Sequence, residues 1–447
     1  MKTAMQFSLV LVLCALPLIK AGNFWYFDDL HYDPTYGQAN ESCYEDTSPP
    51  PRFNPKGNYF CDAPWTLVED SIKKMRQTTA NPDFVVWAGD TGHHYLTRET
   101  VLNPVTLYQA FENVTRLLTS EFPGVRVIPL LGNHDWLPKN ELPQAGQTGD
   151  LYDQYATLFE TAGWLTAAEA NVFRTAGYFA TTMAGTSDKL RVIVLNTNLY
   201  LSANTATSGD DPAGQFEFLR DELAAAQQNN QDVYLFTHVP VGNSAIRSPY
   251  DETLIDIIIE YASVIKSMHG AHEHLDRFRL ISNKDDNTPQ AFQIITPAVT
   301  PWIGGRDYPR NPSFAIFEYS DTDYSIDDMT LYWLNLADFN AQWVELYKFR
   351  DTYNSGINLQ SMTNLLQRLK DDESFFQEYY RRMWVNIGTN FMTSCDEDCM
   401  KTELCLIEYT RNDDLTNCLP SDNGAAEINS TYMILLAAVF ALVWRQI

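Results

Sequence analysis

The chain has 447 residues, 45% of them hydrophobic and 20% charged, with a formal net charge of −26. That length and apolar content allow one large domain with a sizeable core plus an appendage. A surface this acidic repels nucleic-acid backbones and excludes duplex nucleic acid as a partner, so a small anionic substrate needs local positive charge, which metal ions supply.

Residues 1–22 read as a secretory signal peptide: Lys2 supplies charge, Phe7 to Ile19 is apolar, and Ile19-Lys20-Ala21 offers a cleavage site. Phe24-Trp25-Tyr26-Phe27 is a short apolar strand running into Asp28-Asp29-Leu30-His31. Residues 34–64 are rich in Pro, Asn and Tyr and hold Cys43 and Cys61, the pattern of a stapled loop. Residues 65–77 carry Leu67, Val68, Ile72 and Met75 at helical spacing. A strand over 84–88 ends in Gly89-Asp90, a helix covers 105–118, and a strand from Ile128 stops at Gly132-Asn133-His134-Asp135. A helix over 150–162 and a strand over 190–196 follow. A helix over 214–228 then leads to a strand over 233–237 that ends at His238. A helix over 252–262 precedes a strand over 264–268, which runs into His269-Gly270-Ala271-His272-Glu273-His274. Strands over 292–295, 314–319 and 329–336 read as antiparallel, and 359–384 is strongly helical. Strands alternating with helices give an α/β layered fold with a mixed sheet system and a C-terminal helical cap packed on it.

Of seven cysteines, Cys14 falls in the signal segment. The remaining six cluster as Cys43–Cys61, Cys395–Cys399 and Cys405–Cys418, which fits disulfides in an oxidising compartment; a zinc cage from the last four is the alternative. Asn40-Glu41-Ser42 and Asn113-Val114-Thr115 are glycosylation acceptors if exposed. Residues 421–447 resemble a glycosylphosphatidylinositol (GPI) attachment signal: small residues from Ser421 to Ala426 with Asn423 as a candidate attachment point, then an apolar run over 432–444. A tail-anchored helix is the alternative. Either anchor places the protein at the extracellular face of the outer membrane leaflet.

Five apolar strands end in metal-binding residue types, and the chain has only eight histidines. Asp29 and His31, two apart, would point to one side of an extended chain and grip one ion together. His272 and His274 share that spacing, Asp90 has two oxygens with which to bridge two ions, and Asn133 with His238 completes a second site. His134 can give or accept a proton with Asp135 orienting it, and His269 is structural. Imidazole, carboxylate and amide oxygen without thiolate fit zinc, manganese or iron. Two such ions about 3.5–4 Å apart lower the pKa of a shared water and neutralise phosphoryl oxygens.

This constellation resembles the calcineurin-like metallophosphoesterases, and longer strings resemble one branch, the acid sphingomyelinase-like phosphodiesterases. Those strings are Asp-Leu-His-Tyr-Asp-Pro (29–34), Trp87-Ala88-Gly89-Asp90, Gly-Asn-His-Asp-Trp (132–136), Leu-Asn-Thr-Asn-Leu-Tyr (195–200), Asp211-Pro212 with Gln215-Phe216, Thr-His-Val-Pro-Val-Gly (237–242) and Val299-Thr300-Pro301-Trp302. The resemblance implies a mixed β-sandwich flanked by helices over 23–345 and a small disulfide-bonded helical subdomain over 346–420. It implies two Zn²⁺, one held by Asp29, His31, Asp90 and His274, the other by Asp90, Asn133, His238 and His272. His134, with Asp135 behind it, would act on the leaving oxygen, and His94 would lie near the phosphate. The chain departs from the family at Ala271, where a glycine is usual, and over 303–310, a segment that bears on substrate choice. The expected activity is hydrolysis of nucleotide-type or phosphocholine-type phosphoesters or pyrophosphates by a secreted or surface-anchored monomer. Sphingomyelin ranks lower, because Asp29 leaves no room for a lipid-presenting domain before the catalytic part. A non-catalytic membrane-binding regulator is the alternative from a different class.

Overall fold

The computed structural model describes residues 21–37, 54–94, 104–303, 309–386 and 394–420. The expected signal segment up to residue 20, Asn40, Cys43, most of 303–310 and the expected lipid-attachment segment lie outside them. Twelve strands form two six-stranded sheets among the described residues. The first sheet is ordered β12-β11-β10-β1-β2-β3, from β1 (Ala21–Phe27), β2 (Phe84–Trp87), β3 (Arg126–Pro129), β10 (Ser313–Ser320), β11 (Ile326–Trp333) and β12 (Val344–Lys348). The second is ordered β4-β5-β6-β7-β9-β8, from β4 (Phe179–Thr182), β5 (Leu190–Leu195), β6 (Asp232–Thr237), β7 (Ile265–Gly270), β8 (Arg277–Ser282) and β9 (Pro289–Ile295). Helices α1 (Trp65–Thr78), α2 (Pro104–Glu121), α3 (Leu151–Thr161), α4 (Ala167–Ala176), α5 (Gln215–Gln228) and α6 (Ser248–Glu260) connect them. After β12 come α7 (Phe349–Tyr353), α8 (Leu359–Asp371), α9 (Glu373–Met383), α10 (Glu397–Glu408) and α11 (Asn412–Cys418).

The central strand explains the packing. β1 lies between β10 and β2, which pair with both of its edges, and the facing sheet and α1 cover its two faces, so Phe24, Trp25, Tyr26 and Phe27 are all buried. Phe24 stacks on Phe84 at 4.6 Å and Phe317 at 5.1 Å, and meets Phe236 of the facing sheet at 6.2 Å. Trp25 points the other way, onto Phe314 and Tyr332, and its indole N–H donates to the Thr79 carbonyl at the end of α1. β1, β2 and β3 run parallel, as do β5, β6 and β7, so their carboxyl ends share one edge of the sandwich. Ligands sit at such edges in α/β folds.

Several expectations shift. β1 starts at Ala21 and pairs from there with β10. β9 is antiparallel to β8 but parallel to β7, because the β8–β9 hairpin returns its second strand alongside β7. β12 pairs antiparallel with β11 at the end of the first sheet. The helix over 359–384 is two helices: Asp372 ends α8 and caps α9, accepting from the Phe375 N–H. Helix α4, opened by a Thr166/Glu169 capping box, was not delimited from sequence. Cys395–Cys399 and Cys405–Cys418 are disulfides rather than zinc ligands. No helix of the described residues is long and apolar enough to cross a membrane.

His269 is structural. Its ring is buried among Phe24, Tyr26, Phe236 and Phe317, and Nε2 meets Ser267 Oγ at 2.7 Å. Burial pushes its pKa from 6.5 down to about 3. Below 6.5 the unfolded chain takes up a proton that the fold cannot, so stability falls with acidification through that window. We expect denaturant unfolding from about pH 7 to pH 4.5 to show a steeper loss in the native chain than in His269→Leu, by roughly 1 kcal/mol per pH unit. Equal slopes would remove His269 from the acid response.

Candidate metal centre

Asp29, His31, Asp90, Asn133, His134, His238, His272 and His274 all lie just past the carboxyl ends of β1, β2, β3, β6 and β7. The loops extend the parallel pairing: Asp29 N–H donates to Gly89 O, His31 N–H to Asp90 O, and Ala271 N–H to His238 O. Five of the expected ligands have left-handed backbones: Asp29 (φ 47°), His31 (42°), Asp90 (52°), His272 (68°) and His274 (58°). The extended geometry expected for Asp29 and His31 is therefore wrong. They converge through a coiled loop, in a conformation that L residues adopt at a cost and keep only where the surroundings impose it. Ala271 is not among the left-handed residues, so a methyl group is tolerated there.

The side chains meet in one buried cluster. His31 Nε2 lies 3.5 Å from Asp29 Oδ1, 3.4 Å from Asp90 Oδ2 and 3.2 Å from His274 Nε2. His274 Nε2 lies 3.2 Å from Asp29 Oδ1. On the other side, His238 Nε2 lies 3.3 Å from both Asp90 Oδ2 and Asn133 Oδ1. Ligand atoms of Asp90, His238 and His272 lie within 4.8 Å of one another. Asp90 Oδ2 thus faces both halves of the cluster.

The donor chemistry fits cations. His31 Nδ1 donates to Gly92 O and His238 Nδ1 to Ala88 O, each at 2.8 Å, which leaves each Nε2 lone pair facing inward. Asp29 Oδ1 is buried with no hydrogen-bond donor. With the imidazoles neutral in these tautomers, ring-nitrogen lone pairs would face the carboxylate oxygens of Asp29 and Asp90, an arrangement that a cation resolves. Burial opposes the charge on Asp90, but His238, His134 and His31 hold its carboxyl well below the ordinary carboxylate range. His238 is lifted to about 9, because Asp90 outweighs burial.

Two expected partners work differently. Asp135 does not orient His134, whose Nδ1 faces the His93 carbonyl at 3.3 Å. Its carboxylate instead accepts from the backbone N–H groups of Asp90 and Gly132 through Oδ2, and of Thr91 and Gly92 through Oδ1. Asp135 ties the β2 and β3 loops together and is a positioning residue. His94 stacks on His31 at 3.6 Å and lies 3.8 Å from the Trp302 ring. Asp62 holds it through the His94 Nδ1 and backbone N–H, and Thr300 Oγ1 holds Asp62 in turn. Asp62 was missed from sequence, where it follows Cys61 in a loop with no periodic signal. The Leu-Asn-Thr-Asn string braces the loops: Asn198 donates to Leu131 O just before Gly132, and Thr197 Oγ1 accepts from Val239 N–H just after His238. Asn113 is partly exposed on α2.

A calcineurin-like phosphoesterase family model matches residues 29–276, and a model of the acid sphingomyelin phosphodiesterase C-terminal region matches 289–424. Human acid sphingomyelinase-like phosphodiesterase 3b is 32% identical over 439 residues, covering 94% of each chain. Human cyclic GMP-AMP phosphodiesterase is 32% identical over 424 residues, covering 89% of this chain and 90% of the relative. Sphingomyelinase phosphodiesterase C of Dictyostelium discoideum is 28% identical over 439 residues, covering 91% and 94%.

Two substitutions test the scaffold. An asparagine at 135 would turn its amide N–H₂ toward buried N–H donors, so Asp135→Asn should cost about 2–6 kcal/mol in chemical denaturation. A methyl group at Gly132 would lie 2.0 Å from Asp90 Oδ1, so Gly132→Ala should lose bound metal and turnover together, as elemental analysis and a phosphodiester assay would show.

Proposed function

Because this chain belongs to the acid sphingomyelinase-like phosphodiesterases of the calcineurin-like phosphoesterase family, we propose that it is a two-zinc hydrolase of nucleotide-type or phosphocholine-type phosphodiesters. The observation that carries this reading is the shared carboxylate: Asp90 Oδ2 lies 3.4 Å from His31 Nε2 and 3.3 Å from His238 Nε2. Asp29, His31, Asp90 and His274 would hold one cation, and Asp90, Asn133, His238 and His272 the other. Bound there, two divalent ions lower the pKa of water and offset charge on the phosphoryl oxygens.

The remaining roles belong to the chain itself. His134 is fixed by its backbone N–H on Asp90 Oδ1 at 2.7 Å and by its ring on His93 O. From there it serves the leaving oxygen, as proton donor or as hydrogen-bond donor to developing charge. His94, gripped by Asp62, presents its other nitrogen to a phosphoryl oxygen. Nucleotide diesters are supported by the name of the cyclic GMP-AMP phosphodiesterase relative, and phosphocholine esters by those of the sphingomyelinases. The two C-terminal disulfides support passage through an oxidising compartment. With the N-terminal leader, the acceptors Asn40 and Asn113 and the C-terminal attachment signal, they support a glycosylated monomer that is GPI-anchored outside the cell or secreted.

Asp90→Asn removes the shared anion and should lower turnover of bis(4-nitrophenyl) phosphate by about 10³-fold or more while the protein stays folded. Normal turnover by that variant would refute the reading. Chelation should silence the native protein, and zinc should restore it better than manganese or iron. A panel of a cyclic dinucleotide, a choline diester and sphingomyelin vesicles ranks the substrates. No hydrolysis of any of them by metal-loaded protein would favour a binding role.

A further inference from the structure

Glu273 stands between His272 and His274, yet its side chain turns away from the metal cluster. Its Oε1 accepts from Asn243 Nδ2 at 2.8 Å and Arg279 Nη2 at 2.5 Å, and its Oε2 pairs with Arg277 Nη1 at 3.1 Å. Arg277 Nη2 continues to Glu403 Oε2 of α10 at 2.5 Å. Two carboxylates and two guanidiniums thus alternate in a buried chain from the metal loop to the C-terminal helices, with side chains of Glu273, Arg277 and Arg279 at most 8% exposed and Glu403 13% exposed. Two further bonds run alongside. Asp276 N–H donates to Met383 O at the end of α9, and Arg279 Nε to Leu406 O of α10.

The histidine loop needs such support. His272 and His274 both have left-handed backbones, at φ 68° and 58°. A turn of that kind built without glycine holds only where its surroundings impose it. Removing one member of a buried charge chain leaves its neighbour uncompensated, so the effect reaches the next link.

We propose that the C-terminal helical subdomain is a working part of the metal centre, with Glu403, Arg277 and Glu273 as a relay that positions His272 and His274. The proposal rests on the two-metal reading. It makes the relay members positioning residues that never touch substrate.

The test uses the full-length, metal-loaded protein and the variants Glu403→Ala, Glu403→Gln and Arg411→Ala. Arg411 docks the same subdomain on Glu252 and Asp256 of α6 rather than on Glu273 or Arg277. Zinc release to a chromogenic chelator should be about tenfold faster in Glu403→Ala, the size of effect seen when an outer partner of a ligand is lost. Its kcat on bis(4-nitrophenyl) phosphate should fall by a similar factor with KM within about twofold. Glu403→Gln keeps a hydrogen-bond acceptor and should recover most of both. Arg411→Ala should lower Tm and leave zinc release unchanged. Native release and kcat in Glu403→Ala, or equal acceleration in Arg411→Ala, would overturn the relay. If Glu403→Ala does not fold, Glu273→Gln carries the same test from the other end. Native protein that holds no zinc would instead sink the two-metal reading itself, and the relay with it.

Discussion

A carboxylate taken out of water needs its charge answered, and Asp90 meets this demand through both oxygens. Its Oδ1 accepts the His134 N–H and its Oδ2 faces His31 and His238, while its backbone N–H is anchored by Asp135. The fold around it follows from that constraint. Gly89 and Gly132 let two loops pass so closely that a Cβ on either would strike the other loop. Asp135 gathers four backbone N–H groups from those same loops, so the shared anion is set by backbone that cannot relax independently.

The sandwich makes this convergence possible. Parallel strands in each sheet deliver their carboxyl ends to one edge, and the aromatic layer around Phe24 locks the sheets face to face. Both sheets contribute to the cluster: Asp29, His31, Asp90, Asn133 and His134 follow strands of the first, while His238, His272 and His274 follow strands of the second. Neither sheet has a complete ligand set. The helices after β12 are joined to the second sheet through buried arginines, which makes the far end of the chain structurally continuous with the histidine loop.

Some of the site was legible because chemistry and pattern coincided. Polar, metal-ligating residues directly after apolar strands are poor core material, and five apolar strands of this chain end in them. The layered α/β class was legible for a similar reason, since strand and helix periods alternate from Phe24 to Met268 except over 163–189, where α4 and β4 lie. Asp62 was not legible: it sits in an irregular loop, and only the folded chain brings it to His94, 32 residues away. The role of Asp135 was also hidden, because its partners are backbone N–H groups, which any residue could supply.

The amino-acid order by itself determined which side chains could bind a cation, which strands carry them, and the family to which the chain belongs. These are properties of local composition and short spacing. Only the tertiary structure decided that His31 and Asp29 meet through left-handed backbone rather than an extended strand. It alone decided that β9 runs parallel to β7, and that Glu273 faces α10 instead of the metal cluster. Those outcomes depend on contacts between segments separated along the chain, from His269 with Ile294 to His31 with His274, where packing and buried charge override anything the neighbouring residues prefer.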